Sequence, residues 1–553
     1  MSSIRFRFAN FALASLFALT SVAGCAVEAD VIDTATDETP GGSKDSTGKE
    51  DASNEAVFLE FEFEGVLFTQ STWDYESQIE NQLLYTIGQL NGDNSVSRLD
   101  KAELTNIRSE AHANGHRVTY NAQLIVAWGK KNNVPENYTF LLPLDTTVPG
   151  YERFTESYKG QCVDYGAHDV DSNSMWYYYR PAAYSCDIAE GDIFKAEAKV
   201  SLSAINTTGQ YPEYHKIWED NVFRTVAIFG KYKHGATSNG DPGIGAYNGY
   251  VTATIERLRE HGATTTPAEL STTPGVETPD VTIRATLPGG QEVEVVVLLI
   301  DGVQSAGSTF DSRYAEVSAD ADFIAYNGHS GLGANIRALA RKGEWKANQY
   351  TIVFMNGCDT YAYVDSALAE PRMELNDDDP NGTRYLDMVM NALPSPSALA
   401  DENTLAIFDG LLAFETPKTF EQIFLGIGKR QVVLVSGEED NVYTPGYDPN
   451  ATEPVGFDGQ YYEGSVQKDE EQRFETPVLP AGTYLVELSG DGDADLYLRA
   501  GDAPTMELYD CRPYQYGTNE VCKTTLNAPT ALHVMVRGWD SESTFELNIA
   551  ERE

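Results

Sequence analysis

Hydrophobic and polar positions change their pattern along this chain. From Phe58 to Phe68 they alternate, with Phe58, Glu60 and Glu62 set against Leu59, Phe61 and Phe63. That two-residue period belongs to a half-buried strand. A helical stretch follows over 75–90, and strand-like runs recur at 118–128, 138–142 and 194–202. Residues 55–208 therefore read as a β-rich α+β domain. From 215 to 440 short apolar runs alternate with helical stretches, which argues for an α/β sheet. Strands are expected at 222–229, 281–286, 292–300, 322–326, 350–355 and 431–435. Helices are expected at 247–261, 334–341, 385–392, 404–414 and 420–427. Pro288-Gly289-Gly290 marks a hairpin turn. Residues 441–463, rich in Pro, Gly, Asn and Tyr, read as a linker. Over 464–553 short strands separated by turn residues predict a small β-sandwich.

Two of the central apolar runs end alike. Asp322-Phe323-Ile324-Ala325-Tyr326 runs into Asn327-Gly328-His329-Ser330-Gly331, and the run from Tyr350 to Met355 enters Asn356-Gly357-Cys358-Asp359. Each is a buried strand that stops at a glycine turn and carries one reactive side chain at its tip. In an open parallel sheet neighbouring tips share an edge, and ligands bind in the crevice there. A thiolate attacks a carbonyl carbon while an imidazole manages the protons. The pair points to a cysteine peptidase.

Charge narrows the partners. The 553 residues carry 39 basic and 84 acidic side chains, a formal charge of −45, which excludes nucleic acid as a partner because that needs basic surface. At the N-terminus Arg5 and Arg7 precede an apolar stretch to Ala23, the layout of a secretory signal over 1–24. Its end, Val22-Ala23-Gly24-Cys25, resembles the lipobox of bacterial lipoproteins, which implies that Cys25 is the lipidated first residue of the mature chain. By the same resemblance Ala26 favours the outer membrane or cell surface, with release to the medium as the other expected fate. Residues 25–54 are acidic, Ser/Thr-rich and nearly without large apolar side chains, the composition of an unfolded tether.

The six cysteines then sort themselves. Cys162 and Cys186, and likewise Cys511 and Cys522, are close in sequence and natural local disulfides in an oxidising compartment. Cys358 is left as a free thiol. The aromatic run Trp176-Tyr177-Tyr178-Tyr179 between Cys162 and Cys186 either lines a sugar-binding face or packs a stapled loop. The glycines of 235–245 lack the Lys-Ser/Thr ending of a P-loop. Asp377-Asp378-Asp379 lacks the alternate spacing of an EF-hand.

The two tips resemble the caspase-like (clan CD) cysteine peptidases, among them legumain, gingipains and clostripain. Their signature is an apolar block before His-Gly, then a second before Ala/Gly-Cys. Gly357-Cys358 matches, whereas His329 is followed by Ser330. The resemblance covers 215–440 and implies a caspase-like α/β fold. It also implies endopeptidase activity with Cys358 as nucleophile, His329 as proton donor to the leaving amine, and an oxyanion hole from the backbone N–H groups of Cys358 and Ser330. It calls for no cofactor. A lipase-type elbow around Ser330 fails, since position 332 is leucine and the only later histidine is His533.

The C-terminal stretch closely resembles the bacterial pre-peptidase C-terminal domain. The carrying residues are Pro480-Ala481-Gly482-Thr483-Tyr484, the run Ser489 to Tyr497, and the segments around Cys511 and Cys522. Such domains accompany secreted peptidases, and some bind calcium through acidic positions, which makes Asp493 and Asp495 the candidate metal ligands. The expected function is a lipid-anchored cysteine endopeptidase acting on proteins or peptides. The alternative is an inactive surface lipoprotein that binds matrix or polysaccharide through its β-rich modules.

Overall fold

The computed structural model describes residues 51–203, 206–428, 431–438, 441–447, 457, 459–526 and 529–552. The expected leader, Cys25 and most of the tether lie outside the described residues. The tether's last residues, however, form a strand. β1 (Asp51–Ser53) pairs antiparallel with a strand near residue 434, and Ser53 Oγ donates to the Val433 carbonyl at 2.7 Å.

The N-terminal domain holds β2 (Val57–Thr69), α1 (Tyr75–Asn91), β3 (Ser95–His112), β4 (Gly115–Trp128), β5 (Asn137–Pro143), α2 (Val148–Tyr158), α3 (Met175–Tyr178) and β6 (Ile193–Leu202). Its strands form one antiparallel sheet in the order β3-β4-β2-β6-β5. The alternation in β2 holds from Leu59 to Gly65, with Phe61 and Phe63 buried and Glu62 and Glu64 exposed, and ends where Val66 and Leu67 are both buried. Phe58 breaks the pattern. It is buried because its ring meets Tyr361 of the central domain at 6.1 Å. Asp74 caps α1 by accepting the Ser77 N–H. β3 escapes the periodicity argument because its second half is an exposed polar edge. Cys162 and Cys186 are bonded as expected. Trp176, Tyr177, Tyr178 and Tyr179 are all buried, with Tyr179 against Tyr85 and Phe154. The aromatic run packs the stapled loop and presents no sugar-binding face.

The central domain runs through α4 (Tyr214–Ile217), β7 (Val222–Gly230), α5 (Pro242–Leu258), β8 (Thr264–Thr266), β9 (Asp280–Thr286), β10 (Glu292–Ile300), α6 (Ser308–Ser318) and β11 (Phe323–Asn327). It continues with α7 (Ala334–Lys342), β12 (Thr351–Asn356), α8 (Ala369–Leu375), β13 (Leu386–Asn391), α9 (Ala400–Leu412), α10 (Phe420–Phe424) and β14 (Val433–Ser436). The sheet order is β1-β14-β13-β12-β11-β7-β10-β9-β8. The five middle strands are parallel, with antiparallel strands at both ends. Of the five parallel strands β7 comes first in the chain yet does not lie at the end of the set. β10 adds on one side of it and β11, β12 and β13 on the other, so the winding reverses between β7 and β11. Residues 385–392, expected as a helix, are β13. All six residues of Leu386-Asp387-Met388-Val389-Met390-Asn391 are buried, and periodicity cannot separate a strand covered on both faces from a buried helix.

Both faces are covered. Ala227 and Phe229 pack with Ile244, Tyr247, Leu405 and Phe408 of α5 and α9. Val226 and Ile228 share a second core with Tyr314 of α6 and Leu339 of α7, and this core continues into the N-terminal domain through Phe58, Tyr361 and Tyr363.

The C-terminal region comprises β15 (Gln460–Gln467), β16 (Glu471–Leu479), β17 (Gly482–Ser489), β18 (Ala494–Ala500), β19 (Glu520–Leu526), β20 (Thr530–Gly538) and β21 (Glu542–Arg552). They make two antiparallel sheets, β15-β21-β17-β19 and β16-β20-β18, around one apolar core. Cys511 and Cys522 are bonded as expected. This region docks on the central domain, where Asp510 accepts the Tyr211 hydroxyl and the Tyr509 carbonyl accepts Gln422 Nε2. The described start of the expected linker is also packed down. Asn441 Nδ2 donates to Asp387 at 2.7 Å, and the Val442 N–H donates to Glu213 at 2.8 Å. Among the described residues no helix is long and apolar enough to cross a membrane.

Candidate active site

β11 and β12 are paired in parallel with Asn327 opposite Asn356. Each strand tip reads Asn-Gly-X, so this register brings His329 and Cys358 to the same level of one sheet edge. Together they line a cleft at the reversal point, with Gly230, Lys231 and Tyr232 at the end of and after β7, Asn327, Asn356, and Ser395, Ser397 and Ala400 before and in α9. Gly357 lets the two tips approach. A Cβ there would lie 3.0 Å from the Gly328 carbonyl oxygen and 3.4 Å from the Ser330 nitrogen.

His329 is held at both ends. Its carbonyl accepts the Tyr326 hydroxyl and Asn335 Nδ2, each at 2.8 Å. Its ring Nε2 lies 2.9 Å from the Tyr232 carbonyl. A carbonyl only accepts, so Nε2 carries the proton and Nδ1 is left as the basic nitrogen of the neutral ring. The Tyr232 ring packs on the imidazole at 5.2 Å. Ser330 is buried and does not take a left-handed φ; Gly331 (60°), Leu332 (52°) and Gly333 (93°) do. The sharp bend into α7 therefore falls on the residues after Ser330.

A ladder of buried amides supports the tips. Asn356 Nδ2 donates to Asn327 Oδ1 (2.8 Å), while Asn356 Oδ1 accepts from Asn391 Nδ2 (3.0 Å), Ser395 Oγ (2.7 Å) and Gln431 Nε2 (3.1 Å). Asn391 also donates to the Gly357 carbonyl at 3.0 Å. Nothing in a periodicity reading marks these residues. The repeated Asn-Gly at both tips was the available signal.

Cys358 departs from expectation. It is only 3% exposed, its sulfur sits 4.0 Å from the Ser395 carbonyl oxygen, and it is disulfide-bonded rather than a free thiol. No described cysteine is free, and the partner of Cys358 lies outside the described residues. The expectation of a leftover thiol rested on setting Cys25 aside for lipid, a premise that the described residues do not reach. The next residue, Asp359, is fully buried at φ 52°. It accepts Asn91 Nδ2 at 2.8 Å from the N-terminal domain, and burial pushes its carboxyl up to about 6.

In the C-terminal region Asp495 takes the Arg512 guanidinium at 2.6 Å, and Asp493 accepts the Gly517 N–H at 2.9 Å. Among the described residues no group of three or more His, Cys, Asp or Glu side chains is arranged to hold a metal. Asp377 to Asp379 serve a turn, with Asp379 accepting the Thr383 N–H at 3.0 Å.

Residues 476–538 match the model of the bacterial pre-peptidase C-terminal domain. Relatives match through this domain. The neutral protease of Vibrio proteolyticus is 46% identical over 66 residues, 12% of this chain and 11% of that protein. A zinc metalloprotease of Helicobacter pylori is 42% identical over 73 residues, 13% of this chain and 28% of that one. The alkaline serine exoprotease A of Vibrio alginolyticus is 48% identical over 54 residues, 10% of each. The chain thus spans between a tenth and about a quarter of the length of these relatives. Among solved structures, one described as vEP C-ter 100 is 38% identical and covers 18% of this chain and 91% of its own, with a TM-score of 0.15. The Aeromonas hydrophila periplasmic lysozyme inhibitor PliG is 17% identical over 18% of this chain and 96% of its own, at a TM-score of 0.16. The C-terminal region of this multidomain chain is a pre-peptidase C-terminal domain whose relatives are bacterial proteases.

Proposed function

We propose that the chain is an exported, lipid-anchored cysteine endopeptidase with a caspase-like central domain, in which Cys358 acts in its reduced form with His329. The observation that carries this is the shared cleft at the reversal point of the parallel sheet, with His329 Nε2 engaged by the Tyr232 carbonyl. His329 Nδ1 would take the thiol proton. The thiolate attacks the scissile carbonyl carbon, and the oxyanion takes the backbone N–H groups of Cys358 and Ser330. When the tetrahedral intermediate collapses, the imidazolium returns its proton to the leaving amine, and water then hydrolyses the thioester. No cofactor enters these steps. The protease relatives support protein or peptide substrates, and the lipobox-like Cys25 supports anchorage in the outer membrane or cell surface, with release as a second fate.

A second reading draws on the burial of Cys358. In it the chain is an inactive surface protein that binds matrix or polysaccharide through its β-rich modules. Cleavage of a mixed peptide library by the full-length protein, before and after mild reduction and with calcium or chelator, separates the two. The peptidase reading expects activity in the reduced protein that falls by at least 10²-fold in both Cys358→Ala and His329→Ala. Activity of reduced wild type that persists in both variants refutes the dyad, and no cleavage in any condition favours the binding protein.

A further inference from the structure

We propose that Asp241 is a positioning residue for this dyad: its buried carboxylate holds the Tyr232 peptide so that the Tyr232 carbonyl meets His329 Nε2. The inference rests on the dyad reading and adds to it the part that sets the imidazole.

Asp241 precedes Pro242 at the start of α5 and is 8% exposed. It accepts four backbone N–H groups. Two are those of an ordinary helix cap, Gly243 at 3.0 Å and Ile244 at 3.2 Å, both to Oδ1. The other two run backward to the tip of β7. The Tyr232 N–H reaches Oδ1 and the Lys233 N–H reaches Oδ2, each at 2.9 Å.

The Lys233 N–H and the Tyr232 carbonyl belong to one peptide unit. In a trans peptide they point in opposite directions. The carboxylate therefore grips one side of the plane while His329 Nε2 meets the other at 2.9 Å. An ionised acceptor on the N–H side makes the stronger kind of hydrogen bond and polarises the carbonyl toward the imidazole. The first turn of α5 can abut the strand tip because residue 243 is glycine, where a Cβ would lie 2.0 Å from the Gly230 carbonyl oxygen. The strand tip is fixed from its other side by the Lys231 N–H, which donates to the Ile300 carbonyl at 2.8 Å. The titratable groups lining the cleft beside His329 are Tyr232, Cys358 and Lys231, whose Nζ is 3.2 Å from Asp301. Among the described residues that line the cleft there is no carboxylate, and the Tyr232 carbonyl is the group that meets the ring nitrogen.

The test reads the iodoacetamide alkylation rate of Cys358 across pH 5–9 in the mildly reduced full-length protein, resolved by peptide mapping. Wild type should react at pH values well below the ordinary thiol value of about 8.5, and His329→Ala should lose that low-pH reactivity. Asp241→Ala should shift the curve toward His329→Ala by at least about one pH unit, a roughly tenfold loss of rate near pH 6.5. Asp241→Asn keeps an oxygen for the cap but not both acceptors, and should fall between; it carries the test if the alanine variant does not fold. Asp74→Ala removes the cap of α1 at the end opposite Asn91 and should leave the curve in place, which separates positioning from plain loss of a cap. If both Asp241 variants superimpose on wild type while His329→Ala moves, the Asp241 assignment is overturned and the dyad stands. If His329→Ala also superimposes, both fall.

Discussion

Replacing Asp359 with asparagine should stabilise the protein at pH 7.5 and change it little at pH 4. Asp359 lies between the two domains, fully buried, with Asn91 Nδ2 on Oδ1 at 2.8 Å. Burial raises its carboxyl from 3.8 to about 6. The folded state therefore binds the proton more tightly than the unfolded chain. The stability contributed by that preference is present below about pH 4, is lost as pH rises to about 6, and changes no further above that. A shift of roughly two units corresponds to about 3 kcal/mol. Asparagine stays neutral at every pH, retains a carbonyl oxygen for Asn91, and tolerates the left-handed φ of 52°. The difference between variant and wild type should thus grow from near zero at pH 4 to about 3 kcal/mol at pH 7.5. Urea unfolding followed by circular dichroism at the two pH values measures it. Asp387 and Asp510, both pushed by burial to about 7, act with the same sign on the wild type, but they cancel in the difference. A variant less stable than wild type at pH 7.5, or a gap equal at both pH values, would refute the buried-acid account of this contact.

Gly357→Ala places a methyl 3.0 Å from the Gly328 carbonyl and 3.2 Å from Thr360 Cγ2. It should cost about 1–3 kcal/mol by overpacking and lower peptidase activity more than stability, read by urea unfolding beside kcat/KM. Expressed in a bacterium, the wild type should partition into the detergent phase and Cys25→Ala should not; equal partitioning would remove the anchor.

The legible parts of this fold are those where one face is buried and the other wet, or where turn chemistry is explicit. β2, α1 and the hairpin around Pro288-Gly289-Gly290 fall in that class. β13 was not legible, because a strand covered on both faces shows no period. α5 was placed five residues late, although Asp241 followed by Pro242 is a helix-start signal. The two strand tips were legible because an apolar run ending at a glycine turn has few other meanings in a parallel sheet. Their support was not. The amide ladder of Asn327, Asn356, Asn391 and Gln431 joins residues scattered over a hundred positions, and Tyr232 meets His329 through its backbone carbonyl, which leaves no mark on residue type.

The modules also divide the functional question. The pre-peptidase C-terminal match is shared with proteases named for zinc and for serine chemistry, so it says nothing of the catalytic group. In the central sheet the tips of β7, β11 and β12 converge on one cleft. The N-terminal domain belongs with that sheet rather than before it. The two share a continuous core, Arg98 lies over the Tyr361 ring at 5.3 Å and donates to Ser436 Oγ at 2.7 Å, and Asn91 holds the residue after Cys358. Removing it would expose Tyr361 and Tyr363 and leave the Asp359 carboxyl without its amide partner, a cost in buried apolar area and polar pairing that a 3₁₀ turn beside the cleft cannot absorb. The N-terminal domain is thus an integral wall of the Cys358 loop, and the folded unit that presents His329 and Cys358 begins at β1 and ends at β14.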